Sequence, residues 1–478
     1  MGYPDLQSFI ANLDELGELH RIPVEVDPVL EIAAVTDRVC KSPGGGKALL
    51  FERVKGSAMP VVTNLFGSEW RVAHALGIED LEELKGRVAD LLGGATDQDS
   101  AVHKARQALV KHAPHVVTDA PCQEVVEGLP SLATLPLIQC WPNDGNPDGG
   151  GLALTLPLVF SRDPETGAGN CGIYRVQAFD GETAGIHWQP GSGATEHWRK
   201  YSGRNEPMPL AIAVGGDPLL TLAAAAPIPA WIDEVAFAGF LGRSPLEMVC
   251  CRTNELLVPA CSELVIEGVL EPGETRQGGS FGNHTGFYVP VGEVPLMRVT
   301  CITRRSRPVF PATVIGRPPM EDCFLAMGVA RLMLPFLQLE HPEIRDLLMP
   351  IEGIFHGCAI VSMRKSHPGQ GVALIRSLWE TGFVRHSRLI VVMDADADIH
   401  DVSCVGWRIM NLVDWHRDLV MGGEPGNPPF SRGRGGMLGI DATRKLPDEP
   451  GFREDAREME TDLALIDKVV GRWEEYGF

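Results

Sequence analysis

Residues 169–190 read GNCGIYRVQAFDGETAGIHWQP. Within them Tyr174, Val176 and Ala178 alternate with Ile173, Arg175 and Gln177. A period of two marks a strand, and it puts Arg175 on the face of Ile173 and Gln177. One strand is therefore expected over Gly172–Phe179. Asn170 and Gly172 open it, and an amide side chain beside glycines suits a backbone that approaches a ligand closely. An arginine on a strand face is ordinarily a solvated charge or a surface ion pair. The residues around Arg175 decide between that reading and a functional one.

Outward from this stretch, strand patterns separated by turn residues recur from Val117 to Val314. They cover Ala153–Phe160, Gly172–Phe179, Pro209–Val214, Glu247–Arg252, Glu263–Leu270, Leu296–Thr303 and Val309–Val314. That rhythm predicts a mostly β domain, sandwich or barrel. Helical patterns interrupt it at Pro218–Ala225 and Ile232–Leu241. Before it, helices at Leu6–Leu16 (capped by Asp5), Ile32–Val39 and Leu81–Leu92 mix with strands at Leu19–Val26, Ala48–Phe51 and Pro60–Asn64. Gly44-Gly45-Gly46-Lys47 lacks the remaining residues of a phosphate loop and reads as a turn.

After Glu321, helix and strand alternate: Phe324–Leu339, Ile354–Arg364, Gly371–Glu380 and Leu389–Asp394. An irregular Pro-rich loop follows from Gly422 to Arg434. In the tail, Met459, Leu463, Ile466, Val470 and Trp473 form a narrow apolar stripe on a charged helix. Such a helix either docks on its own domain or packs on another subunit. The chain is thus read as three regions: an α/β unit over 1–115, the β-rich region over 116–320, and an α/β region over 321–478.

A net charge of −21 argues against nucleic acid and anionic membrane as partners. Eleven cysteines without CxxC pairs fit reduced thiols in the cytoplasm, with Cys250 and Cys251 read as buried strand thiols. The most apolar stretch, Leu219–Leu241, is broken by Pro227, Pro229, Asp233 and Glu234, so no membrane span is expected. The N-terminus has no signal pattern.

The opening stretch, with His187-Trp188-Gln189, resembles the UbiD-type decarboxylases. GGDPLLTLAAAAPIP with Asp233-Glu234, PACSELVIEG, SFGNHTGFY and GIDAT extend the likeness over nearly the whole chain, in order. The resemblance implies a mixed α/β (α+β) fold whose central region is a split β-barrel that binds flavin. It implies a carboxy-lyase that uses prenylated FMN, made by a flavin prenyltransferase, with a divalent metal (Mn2+ or Mg2+) and K+. It also implies a homo-oligomer, dimer or hexamer, joined through the C-terminal region. Loss of CO2 from an aromatic acid leaves electrons that no side chain can delocalise, so a cofactor must serve as sink. Reversible decarboxylation of an aromatic, heteroaromatic or conjugated acid is the expected activity. Carboxylation, action on an activated acid such as an acyl-CoA thioester, and non-catalytic flavin binding are the alternatives.

Carried over by position, the flavin-binding residues are Asn170, Gly172, Ile173, Tyr174, Arg175, Gln189, Ala224, Ala225, Pro227 and Glu234. Arg388, before the strand LIVVMD, is a further candidate for the phosphate. Asn170 and Glu234 match two metal ligands, and an amide oxygen with a carboxylate suits a hard cation. The alternative for Glu234 is a helix N-terminal carboxylate. The family's third ligand is a His, but Gly191 and Ser192 stand there. His187 and His197 lie nearby, off that position, and read as structural. Arg175 matches the catalytic Arg, whose fork holds a carboxylate in two parallel hydrogen bonds. The two acids that usually complete the site are replaced by Gly278 and Asn283. Asn283 cannot deliver a proton, whereas His284 can. His284 is alternatively a turn residue. The gap at Gly278 suggests a bulkier or more polar substrate. Glu263 and Glu267 read as structural, and Asp394, Asp396 and Asp398 as a polar strand end.

Overall fold

The computed structural model describes residues 3–145, 151–380, 382–423, 436–454, 459 and 462–477. Most of the Pro-rich loop expected at Gly422–Arg434 lies outside the described residues. The chain has the mixed α/β fold with a strongly curved central sheet.

At the N-terminus, helix Leu6–Glu15 starts where Asp5 accepts from Ser8 N at 2.8 Å. It buries Leu6, Phe9, Ile10 and Leu13, while Leu16 lies beyond its end, exposed. Strands Leu19–Val26, Ala48–Val54 and Val61–Thr63 form a sheet completed by Phe310–Pro311. The Val309–Val314 pattern therefore belongs to this sheet and not to the central one. Phe310 pairs with Val61 in parallel, which ties the end of the β-rich region to the N-terminal unit.

The central sheet explains the opening stretch. It has nine strands, and one is Val125–Val126, set against Tyr288–Arg304. In order across the sheet the rest are Ala153–Leu154, Val176–Ala178, Thr183–Ile186, Tyr288–Arg304, Leu264–Gly282, Met208–Val214, Pro157–Arg162 and Gly169–Ile173. Gly169–Ile173 is the last strand of this order and Val176–Ala178 is the second, yet only Tyr174 and Arg175 separate them in sequence. Two residues cannot cross an open eight-strand sheet, so the sheet must curl until its ends meet. The expected single strand Gly172–Phe179 is thus two strands, and its break is the seam of a split barrel. Helices Pro218–Ala225 and Glu234–Gly242, capped by Asp217 and Asp233, pack on the edge strand Gly169–Ile173.

In the C-terminal region the order is Ile344–Leu348, Cys358–Met363, Leu389–Asp394, Met437–Asp441, Leu419–Gly422, with the three central strands parallel. Helix Glu321–Glu340 joins it to the rest. By length and composition this helix could cross a membrane, contrary to the expectation of no such segment, but 67% of its apolar window is buried inside the fold. It packs on helix Glu82–Leu92 and strand Ile344–Leu348, and its apolarity serves the core. Cys250 is exposed, not buried, because it lies at the end of strand Glu247–Cys250.

The tail helix is short, Leu463–Val470. Met459, Ile466, Val470 and Trp473 are exposed.

Candidate functional site

The seam sets the first part of the site. Tyr174 is 5% exposed, and its ring folds back over Gly172, where a Cβ would come within 2.6 Å of it. Only glycine leaves that room. Burial pushes the pKa of the Tyr174 hydroxyl up. Trp188 meets the ring edge-on at 5.3 Å.

Arg175 follows directly. Its guanidinium lies over the Phe281 ring, 4.9 Å from the centroid. Among the described residues its nearest carboxylate is Asp144, at 3.7 Å, a distance that makes an ion pair but no hydrogen bond. Arg175 Nε is buried without a hydrogen-bond partner among the described residues. A solvated surface charge does not look like this. Gln177, two residues on, donates to the Gly278 carbonyl at 2.7 Å. The Gln177 amide oxygen meets His187 Nε2 at 2.9 Å, and the His187 ring packs on Phe281.

The second part lies at the start of the barrel's edge strand. Glu234 opens helix Glu234–Gly242, and its carboxylate accepts from Cys171 N at 3.2 Å. Burial raises its pKa to about 7. Asn170 Nδ2 is buried without a partner, and its amide oxygen sits where a Cβ on Gly193 would come within 2.1 Å. A buried carboxylate lacking a cation, beside an unsatisfied amide, fits a hard cation. Which amide atom faces the site is an assignment a bound cation would reverse. At the absent His position, Ser192 caps helix Gly193–Arg204 through Thr195 N. His197 bonds Ser161 at 2.9 Å, and its pKa is lowered by burial. The described bonds of His197 and His187 go to Ser161 and Gln177. Among the described residues, no cluster of three or more His, Cys, Asp or Glu stands ready for a metal.

Ile173 lies in the edge strand and Ala224 and Ala225 end the helix packed on it, which leads through Pro227 to Glu234. Gln189 offers its carbonyl to the Thr195 hydroxyl at 2.7 Å. The remaining candidates spread further. Asn283 accepts from Thr285 N at 2.9 Å and so shapes its own turn. His284 faces the C-terminal region, with ring centroids 5.2 Å from Phe355 and 4.7 Å from His356. Phe355 and the Ile354 before it both have φ of 48°, a left-handed conformation uncommon for such residues. Arg388 opens strand Leu389–Asp394 and reaches the Gly436 carbonyl at 3.4 Å, so its described bond lies within the C-terminal sheet.

Three other readings meet the structure directly. A side chain at Gly278 would strike Val291 Cγ1 at 2.8 Å, so the absent acid leaves no open space there. Glu263 accepts from Gln7 and Val309 N, and Glu267 from Arg252 N and Thr253 N; both hold loops. Asp394 binds Arg444 N, Asp396 pairs with Arg408 and Arg444, and Asp398 caps His400 N, so the described partners of the triplet are protein groups.

Sequence reasoning missed Asp144. In CWPNDGN it reads as a turn residue. Its side chain is fully buried, accepting from Trp141 N at 3.1 Å and Gly282 N at 2.8 Å. It also missed Phe355 and His356, since nothing local links residue 284 to residue 356.

The Rift-related domain of 3-octaprenyl-4-hydroxybenzoate carboxy-lyase (UbiD) matches residues 115–318. The N-terminal domain of the same family matches 10–91 and the C-terminal domain 323–442. An uncharacterized protein of Archaeoglobus fulgidus is 41% identical, with 99% of each chain covered. One of Aquifex aeolicus is 38% identical at the same coverage. Among solved structures, vanillic acid decarboxylase of Sedimentibacter hydroxybenzoicus in closed form has a TM-score of 0.86 at 27% identity, covering 100% of this chain and 98% of that one. The UbiD-class enzyme HmfF of Pelotomaculum thermopropionicum in complex with FMN has a TM-score of 0.81 at 27% identity, covering 97% and 98%.

Proposed function

Because this chain belongs to the UbiD family of carboxy-lyases, we propose that it removes CO2, reversibly and without net oxidation, from an aromatic, heteroaromatic or otherwise conjugated acid on prenylated FMN. The observation that carries the reading is Arg175. It is a nearly buried guanidinium at the barrel seam, with an unsatisfied Nε and no hydrogen-bonded carboxylate among the described residues.

Prenylated FMN, when bound, supplies the electron sink that decarboxylation needs. Arg175 holds the substrate carboxylate in parallel hydrogen bonds and fixes the direction in which CO2 leaves. Phe281 covers one face of the guanidinium and keeps water from it. Asn170 and Glu234 would hold a divalent cation, Mn2+ or Mg2+, which with K+ would supply positive charge for the flavin phosphate. His284, or water held by Asn283, returns a proton to the carbon that lost CO2. The chain works as a homo-oligomer and takes its cofactor from a flavin prenyltransferase.

The test is co-production with a flavin prenyltransferase, followed by mass and absorbance of the retained flavin, metal analysis, and CO2 exchange on a panel of aromatic acids. Prenylated FMN with exchange on at least one acid is expected. Glu234→Ala is expected to lower flavin and metal together; unchanged occupancy of both removes Glu234 from the anchor. Plain FMN, or none, with no exchange on any acid favours a flavin-binding protein without turnover, a reading the replacement of both acids by Gly278 and Asn283 supports.

A further inference from the structure

We propose that Asp144 positions Arg175 and sets how strongly Arg175 grips a substrate carboxylate, so that two anions share one guanidinium. The inference rests on the reading of Arg175 as the carboxylate-binding group.

The argument starts with the loop Trp141–Gly145. Gly145 and Ser280 exchange backbone hydrogen bonds at 2.7 and 2.9 Å. Trp141 Nε1 donates to the Ile315 carbonyl at 2.8 Å, and Asn143 N donates to the Tyr288 hydroxyl at 3.2 Å. The loop is thereby stitched to both long strands of the central sheet. Asp144 sits at its centre with a side chain of 0% exposure. One carboxylate oxygen accepts from Trp141 N, and the other from Gly282 N, next to Asn283. These bonds fix the carboxylate before any ligand arrives.

The charge fixed in this way lies 3.7 Å from Arg175 NH2. It is near enough to place the guanidinium electrostatically, and far enough to leave the N–H donors for another acceptor. Nε, still without a partner, is one of those donors. A substrate carboxylate that takes them stands a few ångströms from a second, buried anion. Repulsion there weakens the ground-state grip. It fades as the substrate's charge leaves the carboxylate, so the lost binding is not lost from the transition state.

The experiment measures benzoate binding by calorimetry on the full chain, and CO2 exchange on the flavin-loaded enzyme. Wild type, Asp144→Asn, Asp144→Glu and Arg175→Ala are compared. Asparagine offers one acceptor for two N–H groups, so Asp144→Asn also lowers the melting temperature. The readout that decides is the direction of binding. Asp144→Asn is expected to bind benzoate roughly tenfold tighter while exchange slows roughly tenfold. Asp144→Glu, which keeps the charge, stays near the wild-type affinity. Equal or weaker benzoate binding by Asp144→Asn overturns the proposal and leaves Asp144 as a loop tether. If Asp144→Asn yields no folded protein, Asp144→Glu decides: binding tightened as though the charge were absent overturns the proposal. Benzoate affinity unchanged by Arg175→Ala sinks the reading of Arg175 itself, a separate failure.

Discussion

Two regions of this molecule bury charge, and they treat it in opposite ways. Under the C-terminal sheet, Lys445 bridges Asp418 and Asp441 at 3.1 Å each, and Arg417 closes on Asp418 at 2.6 Å. Asp441 also accepts from Thr443 N, and Lys365 pairs with Glu449 and the Thr443 hydroxyl. At the barrel seam, by contrast, Asn170 Nδ2 and Arg175 Nε are buried and unpartnered among the described residues, and burial lifts the Glu234 carboxyl to about 7. Buried polar groups are nearly always satisfied, because an orphan costs the full desolvation of the group. The first region therefore holds the fold together. In the function proposed above, a ligand completes the second.

The strongest way to break that contrast is Arg175→Ala. At the seam it should abolish CO2 release and exchange, a loss of about a thousandfold or more, with little change in thermal stability. Retained turnover would place Arg175 with the structural charges. Lys445→Ala is the mirror experiment. It leaves Asp441 buried without its Lys445 partner and Asp418 held by Arg417 alone, so it should cost about 3 kcal/mol of stability while each folded molecule keeps its activity. Denaturant titration with activity per folded chain checks both halves.

The acid limb of stability sharpens the same point. Burial alone raises the Asp418 carboxyl; the Arg417 hydrogen bond, with Lys445, overcomes that and holds it below the ordinary range. Burial is likewise overcome at Glu449, by Gly369 N and Lys365. Both groups sit lower folded than unfolded. Their stabilisation is complete above about pH 4 and is lost as pH falls through the folded values. The melting temperature of wild type should therefore fall on the acid side, and that of Lys445→Ala should fall less steeply.

These contrasts also show what the sequence could reveal. Helices Leu6–Glu15 and Pro218–Ala225 were legible because apolar spacing and an Asp cap lie within one window. Family likeness placed Arg175, Asn170 and Glu234 in one site, since the motifs that carry them keep their order. The break at Tyr174–Arg175 was not legible. Period-two alternation continues through it, and only sheet closure splits the strand. Asp144 hid inside a Pro-Asn-Asp-Gly turn because its partners, Gly282 and Arg175, are distant in sequence. Short-range patterns report local preference, whereas these contacts come from topology.

His284→Ala tests a position between the two regions. The side chain leaves the tip of the long central hairpin and meets Phe355 and His356 of the C-terminal region. As proton donor, its loss should slow decarboxylation and solvent-deuterium incorporation about a hundredfold, with flavin content intact. Normal turnover with the wild-type solvent isotope effect makes His284 a packing residue and moves the proton to ordered water.

The smallest effect concerns apolar surface in deficit, not charge. Val470, at the end of the short helix Leu463–Val470, is 64% exposed, and Trp473, in the turn that follows, is 49% exposed. Trp407, Met410, Trp415 and Met421 of the same region are also largely exposed. Single exposed apolar residues need no cause, but this many in one region mark a contact surface. We propose that a second copy of the chain covers this surface. Removal of the chain from Phe452 onward should reduce the assembly mass in light scattering while leaving the monomer's melting transition and flavin retention near wild type. The tail contributes no residue to the seam, so activity per chain should fall only modestly. An unchanged mass means that the tail stripe is not the contact between copies, and that the surface around Trp407 and Trp415 suffices.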